Sequence, residues 1–346
     1  LDWGAFNNRL TGSFDYYVRN TKDMVGPAPE LPALLGTAVP KTNNTDLRTT
    51  GWELQIGWRD HLENGLNYGV TFNVSDAQAK VTRYPNNPTG SLSSYIENRK
   101  VGEIWGYETI GIAKTNDEMN QHLATLPNGG QSQLGDKWAA GDIMYKDLDG
   151  DGKISNGSNT LADHGDLKVI GNKTPRYLFG LDLTASWKGF DFRAFMQGVM
   201  KRDYSDAKEF LFGATDSGVW WAAGITGVQD YFRDSETWSV KNGYESENLN
   251  AYLPRPQYSG KNIHTQTRYL LNAAYLRMKN LQIGYTLPQS LVSKAGLGNV
   301  RFFVSAENLF TITDLPSQFD PETIDTDYGN GYPLSRTFSF GVNVTL

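Results

Sequence analysis

The sequence predicts an all-β protein, a transmembrane antiparallel β-barrel with long loops at one end. Three observations predict this fold class. Glycine is abundant, at 36 of 346 residues, among short runs rich in Val, Thr, Tyr, Phe and Trp. Within these runs apolar and polar residues alternate, and the connections between them are alternately short and long.

The alternation is clearest in the last eleven residues, "RTFSFGVNVTL". One face carries Phe338, Phe340, Val342, Val344 and Leu346, and the other carries only threonine, serine, glycine and asparagine. In a soluble sandwich the polar face would meet solvent, whereas in a large barrel it lines a wet lumen and the apolar face meets lipid. This pattern alone fits both architectures.

The connection lengths favour the barrel. Predicted strands cover 3–21, 47–60, 65–84, 176–188, 189–203, 268–287, 298–312 and 334–346. Short connections at 61–65, 188–189 and 288–299 alternate with long ones at 22–46, 85–175, 204–267 and 313–333. Outer-membrane barrels have short periplasmic turns and long external loops, so the first strand runs outward and the eighth returns. We assign 101–113 to the long external loop, as a local hairpin.

Composition excludes several classes of protein. A net charge of −6 and a pI near 5.3 provide no basic surface for nucleic acid. The absence of cysteine excludes disulfides and thiolate metal sites. The chain contains no run of 18 apolar residues, whereas a spanning β-strand needs only about 9–11 residues.

It begins "LDWGAFNNRL", without an initiator Met or a leader, which predicts a C-terminal piece of a longer protein.

The stretch "DLDGDGKISN" resembles the start of an EF-hand loop. Asp147, Asp149 and Asp151 occupy positions 1, 3 and 5, Gly152 permits the sharp turn, and the Lys153 carbonyl occupies position 7. Alternate carboxylates at this spacing converge on one hard cation, so the pattern predicts a Ca²⁺ site. The alternative is an Asp/Gly-rich turn with solvated carboxylates.

The loop 204–267 is rich in aromatic residues. We select Trp220, Trp221 and Trp238 as candidate substrate contacts, since flat rings stack on the C–H faces of sugars. The alternative is that they pack the loop on itself or on a partner.

The chain has no recognisable catalytic arrangement. Its four histidines are scattered, and it contains no GxSxG, HExxH, Walker or dinucleotide-binding pattern. No spacing singles out a pair of carboxylates, so we predict that the protein is not an enzyme.

Six stretches in order resemble the SusC/RagA family of TonB-dependent outer-membrane transporters of Bacteroidetes. They are "FNNRLTGSFDYYVRNTKDM", "GDIMYKDLDGDGKIS", "VIGNKTPRYLFGLDLTASWKGFDFRAFMQG", "AAYLRMKNLQIGYTLP", "LGNVRFFVSAENLFTIT" and "RTFSFGVNVTL". The resemblance covers residues 1–346, which match the C-terminal third of such a transporter.

The resemblance implies a 22-stranded barrel around an N-terminal plug, of which this chain supplies the last eight strands. It also implies energy coupling through TonB, a SusD-like surface lipoprotein as a lid, and import of oligosaccharides or, in some branches, peptides. The plug, the TonB-contacting segment and the earlier strands are absent from this chain.

The family comparison also bears on the calcium loop. Related transporters often have an Asp at position 12, where this chain has Ser158. The segment "NGSNTLADHGD" looks like an insertion that delays this residue, which makes Asp163 or Asp166 the candidate closing ligand.

We therefore predict an outer-membrane importer of an oligosaccharide, with starch-type glycans favoured. The alternatives are a peptide importer of the same family, a secreted calcium-stapled glycan-binding module and a carbohydrate-active enzyme.

Overall fold

The computed structural model describes residues 1–27, 41–205, 229–257, 259–325, 332 and 334–346. Antiparallel strands dominate the described residues, which confirms the all-β class. The strands are β1 Asp2–Ala5, β2 Leu10–Gly26, β3 Thr42–His61, β4 Asn67–Arg83, β5 Glu103–Tyr107, β6 Thr109–Ile112, β7 Ile143–Tyr145, β8 Leu167–Asn172, β9 Arg176–Trp187, β10 Phe190–Lys201, β11 Asp203–Tyr204, β12 Leu271–Asn272, β13 Tyr275–Thr286, β14 Asn299–Glu307, β15 Thr311–Thr313 and β16 Thr337–Thr345.

Among the described residues, α-helices are few and short. They are α1 Asn116–Ala124, α2 Trp238–Lys241 and α3 Gln289–Val292. Across the described ranges, none of the helices combines the length and the apolar character needed to cross a membrane.

Ten strands form one large antiparallel sheet. Its order is β1-β2-β3-β4-β9-β10-β13-β14-β16, and β15 also pairs with β13. Neighbours in the sheet follow one another along the chain, so the wall is an up-and-down meander with β1 and β16 at its edges.

The sheet has an apolar outer face. On β16 the side chains of Phe338, Phe340, Val342 and Val344 are 71%, 70%, 45% and 54% exposed. The register places Phe340 beside Val304 of β14, so apolar residues of adjacent strands lie side by side. A contiguous band of exposed apolar side chains is what strands facing lipid require.

Each end of the sheet carries one type of connection. The short connections, 62–66, 188–189 and 287–298, join strand ends at one end of the sheet. The strand ends that the long connections join, before and after 27–41, 84–175, 202–274 and 308–336, lie at the other end. This arrangement confirms the predicted alternation of short turns and long loops.

The predicted first strand, 3–21, is wrong at its start. The structure has a hairpin there, in which Ala5 pairs with Leu10. Phe6, Asn7 and Asn8 adopt left-handed conformations with φ of 53°, 56° and 63°. Asparagine tolerates this region better than most residues, so the Asn-Asn pair supplies the turn that ends β1.

The predicted strand 298–312 is interrupted. It forms β14 and β15, and Asn308 between them has φ of 51°. The chain stays beside β13, since Tyr275 pairs with Thr313 and Asn280 pairs with Glu307.

The local hairpin expected at 101–113 is also wrong. β5 pairs with β8, and β6 pairs with β7, so each strand finds its partner later in the chain. The reason is burial: the segment contributes Tyr107, 5% exposed, to a core that it shares with other loops.

That core unites three of the long connections. We call the described parts of these connections, 84–175, 229–274 and 308–325, the loop domain. Its buried side chains are Tyr107, Leu126, Ile143, Tyr145, Ile154, Leu167, Leu253, Tyr269, Leu271, Ala273, Leu315, Phe319 and Ile324, and Tyr204 of β11 joins them. The principal hydrophobic core therefore lies in the loops, at one end of the sheet.

The two faces of β16 are predicted to respond differently to charge. Val342→Arg should destabilise the folded barrel by about 2–4 kcal/mol, because it places a charge in the apolar band near the strand's midpoint. Ser339→Arg lies on the opposite face and should have little effect. The measurement is urea unfolding of the complete receptor in lipid vesicles, followed by heat-modifiable gel mobility. Equal destabilisation by both variants would contradict the assigned faces.

Candidate functional site

The acidic loop is anchored in the core of the loop domain at both ends. Tyr145 before it and Ile154 within it are both 0% exposed. Ile154 donates its N–H to the Gly130 carbonyl at 2.7 Å, and Asn128 donates its N–H to the Gly152 carbonyl at 2.9 Å. Burial of Ile154 thus fixes the position of the carboxylates that precede it.

The turn itself is organised around Asp147. One carboxylate oxygen accepts from the Gly150 N–H at 2.7 Å, and the other accepts from the Gly152 N–H at 3.0 Å. Both glycines have positive φ, 77° and 79°, a conformation that glycine adopts without steric cost.

The structure brings the first three predicted ligands together. Asp147, Asp149 and Asp151 offer carboxylate oxygens that all lie within 4.8 Å of one another. The side chain of Lys153, whose carbonyl was the predicted ligand, places its Nζ 3.3 Å from an Asp151 oxygen. This ammonium is close enough to compete with a cation for Asp151.

The two candidate closing ligands have different roles. Asp163 is exposed and accepts hydrogen bonds from the Ser158 hydroxyl at 2.5 Å and from the Ser158 N–H at 2.9 Å. The hydroxyl first and then the N–H lower the pKa of the Asp163 carboxyl. Asp166 is 0% exposed and accepts from the N–H of Leu148 at 2.6 Å and of Ser155 at 2.7 Å. Asp166 therefore ties the two sides of the acidic loop together, whereas Asp163 braces the inserted segment.

Burial is the largest influence on the pKa of the Asp166 carboxyl. It raises the pKa of this carboxyl, and the charges of Asp149 and Asp147 raise it further, while the two backbone N–H donors lower it. Neither Asp163 nor Asp166 belongs to the group of converging carboxylates in the described part of the chain. Their assignment as closing ligands stays a prediction.

The aromatic loop divides into packed and exposed rings. Trp220 and Trp221 lie outside the described residues. Phe232 is 0% exposed and belongs to a small core with Ala140 and Ala251. Trp238, the third predicted substrate contact, is 69% exposed on α2.

Trp238 has a partner that the prediction did not include as a site residue. The ring of Tyr244, 73% exposed, stacks against it with centroids 5.4 Å apart and planes 17° from parallel. The two rings form an exposed aromatic platform of the kind that binds flat apolar surfaces.

A buried ion pair in the loop domain escaped sequence analysis. Lys261 is 3% exposed, and its Nζ lies 2.8 Å from an oxygen of the fully buried Asp142. The same ammonium donates to the carbonyls of Asp136 and Lys137 at 3.1 and 2.9 Å. These residues are 119 positions apart in the chain, and no local pattern marks them as partners.

The pair is completed by neighbouring groups. Asn262 and Gln257 donate to the other Asp142 oxygen at 3.0 and 2.6 Å, and Lys261 Nζ lies 5.0 Å from the centre of the Trp138 ring. A buried ion pair with all its hydrogen bonds made fixes one arrangement of the two loops that it joins.

Removal of Lys261 should therefore loosen the loop domain. Lys261→Met leaves the Asp142 carboxylate buried without its counter-ion, at a cost of about 3–5 kcal/mol. Lys241→Met is the matched control, since Lys241 pairs with Glu236 on the exposed surface, where a pair contributes about 0–1 kcal/mol. Amide hydrogen exchange of residues 136–145 in the complete receptor measures the difference. Equal protection in the two variants would contradict the role given to the pair.

Comparison with known proteins identifies relatives along the whole chain. No protein-family model matches it. It is 30% identical to TonB-dependent receptor P3 of Formosa agariphila over 99% of this chain and 33% of that protein. It is 23% identical to TonB-dependent receptor SusC of Bacteroides thetaiotaomicron, over 99% of this chain and 31% of SusC.

The fold has a solved counterpart. The structure of the RagAB peptide transporter superposes with a TM-score of 0.67 at 23% identity, over 100% of this chain and 34% of that chain. The chain thus spans about one third of the length of the proteins that it matches.

These relatives are named as receptors and transporters, not as enzymes, and proteins of this kind lie in the outer membrane. The predictions of the fold, of the location and of a non-enzymatic role agree with them. Along its whole length the chain therefore matches part of TonB-dependent outer-membrane receptors of the SusC/RagA type.

Proposed function

We propose that this chain forms the last strands of the barrel of an energised outer-membrane importer for a bulky nutrient. The observation that carries the proposal is the match of essentially the whole chain to TonB-dependent receptors. The sheet is consistent with it, since one face is apolar and the other is polar, and the long connections gather at one end.

The mechanism we propose needs parts that other segments and proteins supply. A SusD-like lipoprotein closes over the loop domain and delivers the substrate, and TonB displaces a plug that the rest of the receptor contributes. The role of this chain is then to form part of the wall of the path and part of its outer mouth. The buried Lys261–Asp142 pair supports a rigid mouth, because it fixes two loops against each other.

An oligosaccharide is the substrate that we favour. Support comes from the Trp238–Tyr244 platform, because both side chains are largely exposed and aromatic ring faces stack on the C–H surfaces of sugars. The second candidate is a peptide, because the RagAB protein, whose structure this fold matches, is a peptide transporter.

We also propose that Ca²⁺ staples the acidic loop. The convergence of Asp147, Asp149 and Asp151 within 4.8 Å supports this, since three carboxylates so close together repel one another without a cation. Millimolar calcium outside the cell would fill even a weak site of this type.

Calcium binding has a direct test. Isothermal titration of the complete receptor with CaCl₂ should show a site that Asp149→Ala removes, and the variant should lose the thermal stabilisation that millimolar calcium gives the parent. Asp117→Ala is the control, because Asp117 is an acid in the first turn of α1, outside the group. If millimolar CaCl₂ gives no heat of binding and the thermal stability of Asp149→Ala equals that of the parent, the calcium proposal is refuted.

The import function is tested by growth. A deletion strain of the source bacterium should fail to grow on one class of oligosaccharide and grow normally on glucose and on peptides. The complete gene should restore growth, and a gene whose product lacks the TonB-contacting segment should not. A defect confined to peptides would favour the second candidate. Normal growth on every polymer, or a soluble receptor without heat-modifiable mobility, would refute the import function.

A further inference from the structure

Three basic residues lie side by side on the apolar face of the sheet, toward the end that bears the long connections. Arg48 of β3 pairs in register with Lys80 of β4, and Lys80 forms an antiparallel bridge with Lys100. Residues directly opposite each other in antiparallel strands have Cβ atoms about 4.5–5.5 Å apart. We call these three residues the basic row.

Backbone hydrogen bonds hold the bridge between the two lysines in place. On one side the Val81 N–H donates to the Arg99 carbonyl at 3.0 Å, and on the other the Val101 N–H donates to the Ala79 carbonyl at 2.9 Å. Bonds placed in this way flank a pair of residues whose side chains lie close together on one face. The position of the third basic residue is therefore set by the sheet.

The face on which the basic row lies follows from the register. β4 pairs with β3 without a shift over 67–80, so side chains alternate along this stretch. Lys80 shares a face with Val70, which is 37% exposed, and Arg48 shares it with Ile56, which is 38% exposed. The bridge places the third member of the row on the same face. This is the face directed to lipid.

Aromatic rings on this face indicate the level of the basic row in the membrane. Toward the short turns, the rings of Trp58 and Phe6 lie 5.9 Å apart, and toward the loops those of Trp52 and Tyr177 lie 6.5 Å apart. Such rings collect at the two interfaces of a bilayer. From Trp58 to Arg48 the strand extends about 33 Å, or about 25 Å of height at a tilt near 40°, which equals the height of the apolar band of outer-membrane barrels. The basic row therefore lies where hydrocarbon gives way to lipid headgroups.

The charges of the basic row are not compensated within the described part of the chain. All three side chains are exposed, and none has a carboxylate within ion-pairing distance. Carboxylates at adjoining positions pair with other cations: Asp46 with Arg83, Asp76 with Arg176 and Glu103 with Arg99. Like charges directly opposite each other destabilise a sheet, so an anion bound across the row would relieve this repulsion.

Exposed apolar side chains continue from the basic row toward the middle of the sheet. Asn20 of β2 pairs in register with Arg48, so the alternate residues Val18 and Tyr16 follow on the same face. They are 41% and 64% exposed. A ligand with an anionic head and apolar tails would match both parts of this surface.

From these observations we infer that the basic row binds the phosphate group of an outer-leaflet lipid, whose acyl chains lie along the apolar face beside Val18 and Tyr16. The guanidinium of Arg48 suits two-pronged recognition of a phosphate, and the two lysines add point charges. A lipid fits better than a protein partner because the row is continuous with the surface that contacts lipid. This site goes beyond the proposed import function and does not depend on the imported substrate.

The test is native mass spectrometry of the complete receptor, purified in a neutral detergent and titrated with lipid. The probes are lipid A carrying its phosphates, the same glycolipid without phosphates, and phosphatidylcholine. We expect phosphorylated lipid A to bind about tenfold or more tightly than the other two, and added salt to weaken it. Inorganic phosphate as a competitor separates a lipid site from a site for the free ion, and it should not displace the lipid.

A triple variant locates the binding. Arg48→Gln with Lys80→Gln and Lys100→Gln should weaken phosphorylated lipid A about a hundredfold, because each basic group near an anionic headgroup contributes to the affinity. Binding of the glycolipid without phosphates should not change. Heat-modifiable mobility verifies that the variant is folded.

The matched control is Arg19→Gln with Lys188→Gln and Lys294→Gln, which removes the same number and types of charge. Arg19 is exposed on β2 and pairs in register with Thr49, so it lies near the level of the basic row but on the opposite face. The two lysines are exposed in the short connections at the other end of the sheet. This variant should bind phosphorylated lipid A as the parent does.

Three results would overturn the lipid site. The first is equal binding of lipid A with and without phosphates, or equal binding by the triple variant and the parent. The second is displacement of the lipid by inorganic phosphate, which would make the row a site for the free ion. The third is a triple variant that keeps its lipid but no longer copurifies with its surface lipoprotein or with a second receptor, which would make the row a protein contact.

Discussion

Every backbone N–H and C=O group within a bilayer must find a hydrogen-bond partner in the protein, and the rest of this structure depends on that constraint. A continuous meander satisfies it for every strand except the edges β1 and β16, which a complete barrel would pair with further strands. Because the strands alternate, the same constraint separates an apolar face, seen at Val342 and Phe340, from a polar one, seen at Ser339 and Asn343. A wall of this kind needs no hydrophobic interior.

The separation of the two sheet faces determines where the hydrophobic core lies. The apolar side chains of the sheet are directed outward, so the packed interior lies in the loop domain, around Tyr145 and Ile154. There the loops can hold groups at fixed positions, as the buried contact of Lys261 with Asp142 illustrates. The acidic loop and the aromatic platform both belong to this layer. A rigid layer of loops at the mouth of a barrel suits selection of what enters it.

The parts of the fold that could be predicted from sequence are those governed by local periodicity. β9 was predicted to within one residue at each end and β16 to within three, because period-two alternation repeats along the whole strand. The hairpin of β1 and β2 was missed because its turn depends on Asn7 and Asn8 in left-handed conformations, which weaken the pattern over only three residues. The pairing of β5 with β8 was missed because its partners lie about sixty residues apart and are chosen by burial in a shared core.

Local spacing also explains which site residues were predictable. Asp147, Asp149 and Asp151 converge because their spacing dictates the turn, whereas the contact of Asp166 with Leu148 and Ser155 depends on the path of an inserted segment. The central claim is that the sheet has one apolar face directed to lipid and one polar face. A cysteine scan from 338 to 344 tests it most directly, because this chain has no cysteine of its own. With spin labels in the complete receptor in vesicles, even positions should be accessible to oxygen and odd positions to a water-soluble nickel chelate. Accessibility without a period of two would contradict the account.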